Sequence, residues 1–115
     1  MARFNLERHR DQALFHLMGK MNLEDTARLR KEIWTCLNER GLARLVIDLS
    51  RMPVLDAALI SLLVASKSLA ERAKVRLTLL GLSPEQYQLF LENHLHVYFD
   101  LEDEGAAAPD REPAG

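Results

Sequence analysis

Cysteine is almost absent from this chain: Cys36 is the only one in 115 residues. A single thiol rules out an intrachain disulfide and any metal site built on several thiolates, so a reducing compartment is the simpler expectation. Long apolar runs are lacking too. The longest mostly apolar stretch, residues 57–65, contains Ser61 and is less than half of the ~20 residues that a membrane-spanning helix needs, so no direct membrane insertion is expected. Met1 to Leu6 show no basic segment followed by an apolar one, so no export signal is expected and the chain reads as soluble and cytoplasmic. The five glycines, Gly19, Gly41, Gly81, Gly105 and Gly115, each stand alone. A loop that cradles phosphate needs several together, so nucleotide hydrolysis has no motif behind it. A surplus of positive charge is also missing. The formal charge is −2, and residues 102–115 carry five acids and one arginine, which leaves +2 for residues 1–101. Acids and bases interleave along Leu23 to Arg40 and form no basic stripe, so nucleic acid is not an expected partner.

What the chain does have is apolar residues, 48% of the total, enough for one domain around one core and not for two. Strands are expected at Ala2 to His9, Ala13 to Met18, Leu45 to Leu49, Val75 to Leu80 and Val97 to Leu101. Leu45 to Leu49 (LVIDL) is apolar enough to be covered on both faces and should be central. Three helices are expected between them. The first starts at Asn22 as N-cap, puts Thr26, Leu29, Ile33, Cys36 and Leu37 on one face, and stops at Gly41. The second is capped by Asp56 and runs from Ala57 to Lys74. The third opens on Ser83, Pro84 and Gln86, a capping serine, a first-turn proline and a capping box, and runs to about His94. Alternating strands and helices imply parallel neighbours with right-handed crossovers. Residues 1–101 therefore read as one α/β domain, and 102–115, rich in alanine, proline, glycine and acids, as a disordered tail.

Four segments, in order, carry a family resemblance. Asp48-Leu49-Ser50 followed by Val54-Leu55-Asp56-Ala57-Ala58-Leu59 resembles the STAS segment in which a strand ending in Asp-Leu-Ser leads into apolar-Asp-Ser-Ser-Gly-Leu. Gly19-Lys20-Met21-Asn22 resembles the family's Gly-Glu-Leu-Asp, and Gly81-Leu82-Ser83-Pro84 its last strand-to-helix joint. The likeness covers about residues 4–101. It implies a mixed, mainly parallel sheet with about three helices mostly on one face, and a non-enzymatic, cofactor-free module of bacterial transcription regulation. The partner by the same resemblance is a kinase-like anti-sigma factor that phosphorylates the serine after the loop aspartate. Here that position is Ala57, and Ala58 follows it; alanine has no hydroxyl to accept a phosphoryl group, so the usual off-switch cannot operate there. Small STAS proteins also resemble the cytoplasmic subunit of bacterial lipid-transport ABC complexes, which is the alternative function. The resemblance leaves a homodimer open.

The expected partner-binding residues are Asn22, Asp56, Ala57, Ala58, Leu59, Ile60 and Val64. Asn22 and Asp56 also have an ordinary role as helix caps, each compatible with partner contact. With Leu59, Leu62, Leu63 and Ser66 facing the core, helical spacing turns Ile60 and Val64 toward the outside as an apolar strip. Cys36 lies on the apolar stripe of its helix and reads as a small hydrophobe, and His94 and His96, with His9 and His16, lack the spacing of a metal-ligand set.

Overall fold

The computed structural model describes residues 3–102. The elements follow in the order β1 (Phe4–His9), β2 (Gln12–Met18), α1 (Leu23–Leu37), β3 (Arg44–Arg51), α2 (Ala57–Ala73), β4 (Arg76–Leu80), α3 (Pro84–Glu92), a 3-10 turn (Leu95–Val97) and β5 (Asp100–Glu102). They build one five-stranded sheet in sequence order, β1-β2-β3-β4-β5. The β1–β2 hairpin is antiparallel and every other pairing is parallel. A tight hairpin turn can only reverse the chain, whereas each helical crossover returns it in the same direction. β3 is the central strand, as the mainly apolar run Leu45 to Leu49 predicts.

The pleat sorts the strand residues. Ala13, Phe15 and Leu17 of β2, Leu45, Ile47 and Leu49 of β3, and Leu77 and Leu79 of β4 meet Leu29 and Ile33 of α1, Leu59, Leu62 and Leu63 of α2, and Phe90 of α3 in one core. The alternate residues Leu14, Val46 and Leu80 form a small apolar patch on the opposite face, flanked by polar side chains. On one flank Arg44 and Arg76 reach Glu102, and Arg76 also reaches Asp100, which ties the short edge strand β5 to β3 and β4.

Several boundaries differ from the sequence reading. α1 ends at Leu37 with Asn38 as its cap, one turn before Gly41. α2 ends at Ala73, and Lys74 is its left-handed cap at φ 60°. The strand expected over Val97 to Leu101 is instead a 3-10 turn at Leu95–Val97 followed by β5, because His94 turns left-handed and aims the chain back on itself. Phe99 then buries its ring 5.8 Å from that of Phe90. Glu102, placed at the start of the expected tail, closes β5; residues 103–115 and Ala2 lie outside the described residues.

Candidate functional site

The two loops singled out by the motifs leave neighbouring strands at the same edge of the sheet. β2 ends at Met18 and β3 at Arg51, and the Gly19 amide donates to the Arg51 carbonyl at 3.1 Å, so the loops are joined at their roots. In a parallel sheet this edge, beyond the carboxyl ends of the strands, is where ligands and partners generally meet the chain.

Each loop ends in a helix cap of the expected kind. The Asp25 amide donates to Asn22 Oδ1 at 2.7 Å and the Asn22 amide donates back to Asp25 Oδ2 at 3.1 Å, a reciprocal box. The Leu59 amide donates to Asp56 Oδ1 at 2.9 Å. Removing that acceptor leaves first-turn amides of α2 unpaired. Asp56→Ala is expected to cost about 1 kcal/mol, read as a lower midpoint in urea with an unchanged slope; an unchanged midpoint would mean that water caps the helix equally well.

Between the loops lies a cleft of about 170 Å³ lined by Lys20, Met21 and Thr26 on one side and by Met52, Pro53, Val54, Asp56 and Leu59 on the other. Its back wall is fixed by α3. Gln86 is buried, accepts from the Ser83 amide at 2.9 Å, and donates through Nε2 to the Met52 carbonyl at 2.6 Å. Sequence reading saw only the capping half of that role. The signal for the other half is not local, since Met52 and Gln86 are 34 residues apart.

The expected site residues divide into three groups. Asn22, Asp56, Ala57 and Ala58 are exposed, and of the four Asp56 lines the cleft. Leu59 is only 2% exposed and belongs to the core, so it shapes the floor of the cleft and offers little surface of its own. Ile60 and Val64 are half-buried and pack against the core's margin, which corrects the freely exposed strip that helical spacing predicts. α2 has two neighbours, the sheet and α1, and two neighbours cover more than half a helix. The outward face of α2 carries Ala57, Ala58, Ser61, Ala65 and Ser68 instead. Exposed apolar surface at the cleft comes from a residue that sequence reading did not single out, Val54 at 67% exposed; Leu23, 81% exposed, is the first residue of α1, two positions after the lining residue Met21.

The other candidates lie elsewhere. Cys36 is in the core at 3% exposure, and burial pushes its thiol up, away from the thiolate a nucleophile needs. His94 and His96 sit at the 3-10 turn. His16 lies on the open face of the sheet, where Nδ1 is 2.8 Å from Asp48 Oδ2 and Nε2 is 3.0 Å from Glu7 Oε1.

The STAS domain family matches residues 3–105 of the sequence, which takes in all of the described residues. The chain belongs to the STAS domain family. Solved structures with the same fold include the anti-sigma factor antagonist SpoIIAA in its unphosphorylated form, at 20% identity, TM-score 0.73, and 87% of each chain covered. The Bacillus cell fate determinant SpoIIAA in its phosphorylated form is similar at 21% identity and TM-score 0.73, over 87% of this chain and 89% of that one. RsbS of Moorella thermoacetica is similar at 19% identity and TM-score 0.76, over 88% of this chain and 86% of that one. No curated protein matches the sequence significantly. Within this STAS domain, no described helix is long and apolar enough to cross a membrane.

Proposed function

We propose that this STAS domain is a non-enzymatic regulatory module that docks a partner protein in the cleft between its two loops, as an anti-sigma-factor antagonist would, and that it is always competent to bind. The single observation that carries this reading is Val54, an apolar side chain 67% exposed in the lining of that cleft, with Leu23, 81% exposed, at the start of the helix that supplies Thr26 to the opposite wall. The walls of that cleft are pinned by the Gly19–Arg51 and Gln86–Met52 hydrogen bonds. Isolated exposed aliphatics are ordinary on protein surfaces. One lining a preformed cleft, with a second at the start of the adjoining helix, next to the loops that carry the family's motifs, offers a small apolar anchor with little ordering cost on association.

Permanent competence follows from residues 57 and 58. Both are alanine and both are exposed at the first turn of α2, so a kinase-like partner would meet no oxygen nucleophile there. The partner class, a kinase-like anti-sigma factor, rests on the likeness to anti-sigma-factor antagonists. The test is to capture the partner from the native cell with the tagged full chain, identify it, and incubate the purified pair with ATP. A kinase-like anti-sigma factor, with no phosphate gained by the chain in intact-mass analysis, is the expected result. Capture of an ABC ATPase with its permease would replace the reading with that of a transport-complex subunit. A stoichiometric phosphate on Ser50 or Ser61 would show a relocated switch and overturn permanent competence.

A further inference from the structure

The face of the sheet opposite the core carries an arrangement that the docking reading does not use. His16 is the residue on β2 paired directly with Asp48 on β3, and Glu7 on β1 lies one diagonal step away on the same face. The imidazole spans all three strands: Nδ1 is 2.8 Å from Asp48 Oδ2 and Nε2 is 3.0 Å from Glu7 Oε1. A neutral imidazole has one N–H, so it can donate to one carboxylate and must turn a lone pair toward the other; only the imidazolium donates to both. Burial of the ring opposes its charge, but the hydrogen bonds to Asp48 and Glu7 outweigh it and raise His16 above the ordinary histidine value. Asp48 shows the complementary balance: burial favours its neutral form, yet hydrogen bonds from Ser50 and His16 hold it below the usual carboxylate range. The remaining charged group in this hollow is Arg51 on β3, beside the neutral Asn5, Met18 and Ser50.

The second oxygen of Asp48 leads to the loops. Asp48 Oδ1 accepts the Ser50 amide at 2.9 Å. Ser50 sits in an irregularity of the β2–β3 pairing, where the register passes from His16↔Asp48 to Met18↔Arg51. The extra residue of this bulge lies where both loops begin: the Arg51 carbonyl accepts from Gly19, and the Met18 amide donates to the Arg3 carbonyl ahead of β1. Bulges re-aim the chain that follows them, and here one carboxylate joins the bulge to the imidazole.

We propose that the Glu7–His16–Asp48 bridge is a pH-operated clamp on the bulge from which the two cleft loops start, closed when the imidazole is protonated and open when it is neutral. On deprotonation Glu7 is the partner released, because its side chain is 51% exposed and readily hydrated, whereas that of Asp48 is 13% exposed and is also held by Ser50. The sign follows from linkage. The group is raised in the folded state, so its stabilisation is complete below the unfolded histidine value of about 6.5 and is lost as pH rises through the folded value. Its significance for docking rests on the cleft reading above; the clamp itself does not.

The test needs no partner, so it can fail or succeed independently of the docking reading. Nitrogen and amide resonances of the full chain are followed by NMR through neutral pH. The expected result is a His16 ring midpoint above the ordinary histidine value, with the amides of Gly19, Ser50 and Met52 shifting at the same midpoint. Glu7→Gln, at an exposed position, should move both midpoints down together, and His16→Gln should abolish the shift of the loop amides. A ring that titrates while those amides stay still, or loop amides that shift equally in His16→Gln, would overturn the clamp. If His16→Gln does not fold, the wild-type and Glu7→Gln midpoints decide alone.

Discussion

Gly81→Ala is expected to destabilise the domain by about 2–4 kcal/mol, a loss of roughly 10–20 °C in melting temperature for a chain of this size. Gly81 has φ +81°, which costs a residue with a Cβ about 1–2 kcal/mol by itself. The rest comes from what that Cβ would meet: Ser50 Cβ at 2.7 Å, and Ser50 Cα and N each at 3.1 Å. Two of these atoms are backbone, in the bulge that launches the second cleft loop, so they cannot swing aside as a side-chain tip would. Gly41 supplies the control. Its φ is +85° and nothing lies within 4 Å of its added Cβ, so Gly41→Ala should lose the conformational part alone. Thermal melts of the two variants side by side separate strain from contact; equal losses would show that β3 and β4 are not packed this closely at Ser50.

The caps and the central strand were legible in the sequence because their causes are local. Asn22, Asp56 and Ser83 with Gln86 each satisfy amides three residues away, and such pairs recur with fixed spacing. Leu45 to Leu49 announces a central strand by its composition alone, and all five residues are buried, although the helices cover only one of its faces. The end of the chain was misread for a physical reason. Val97 to Leu101 has the composition of a strand, but the left-handed His94 starts a 3-10 turn that leaves Val97 77% exposed and carries Phe99 into the core. No periodicity in those five residues records where Phe90 will be. The same holds at the site. A helical wheel accounts for one neighbour, and α2 has two, so Ile60 and Val64 are half-buried at the core's margin where the wheel alone turns them outward. Val54 shares a cleft with Lys20 and Met21 only because two loops more than 30 positions apart in sequence converge, and the His16–Asp48 pair is likewise 32 residues apart. Parallel-strand register creates both, and register is not written in either segment.

Changing Leu23 and Val54 together to aspartate is expected to weaken partner docking by about 10- to 100-fold, which is roughly 1.4–2.8 kcal/mol and within the range of a truncated interface anchor. The fold should be spared. Leu23 is the first residue of α1, where an acid complements the helix dipole, and Val54 is an exposed loop position. Surface changes of this kind usually alter stability by no more than about 0.5 kcal/mol. Any loss of affinity would therefore report on contact and not on unfolding. Introducing a carboxylate at Val54, in the same cleft lining as Asp56, also sets like charge where an apolar anchor stood, which a complementary partner surface tolerates poorly.

Calorimetric titration of the purified partner into the wild-type chain, Leu23→Asp/Val54→Asp and Tyr87→Asp puts the docking claim to its most direct test. Tyr87 is a comparable exposed apolar residue at 44% exposure, on α3 and not among the residues lining the cleft. The account predicts wild-type affinity for Tyr87→Asp and a loss of at least about tenfold for the double variant, with all three melting alike. A double variant that binds as tightly as wild type, or an equal loss in Tyr87→Asp, would contradict docking through the two-loop cleft.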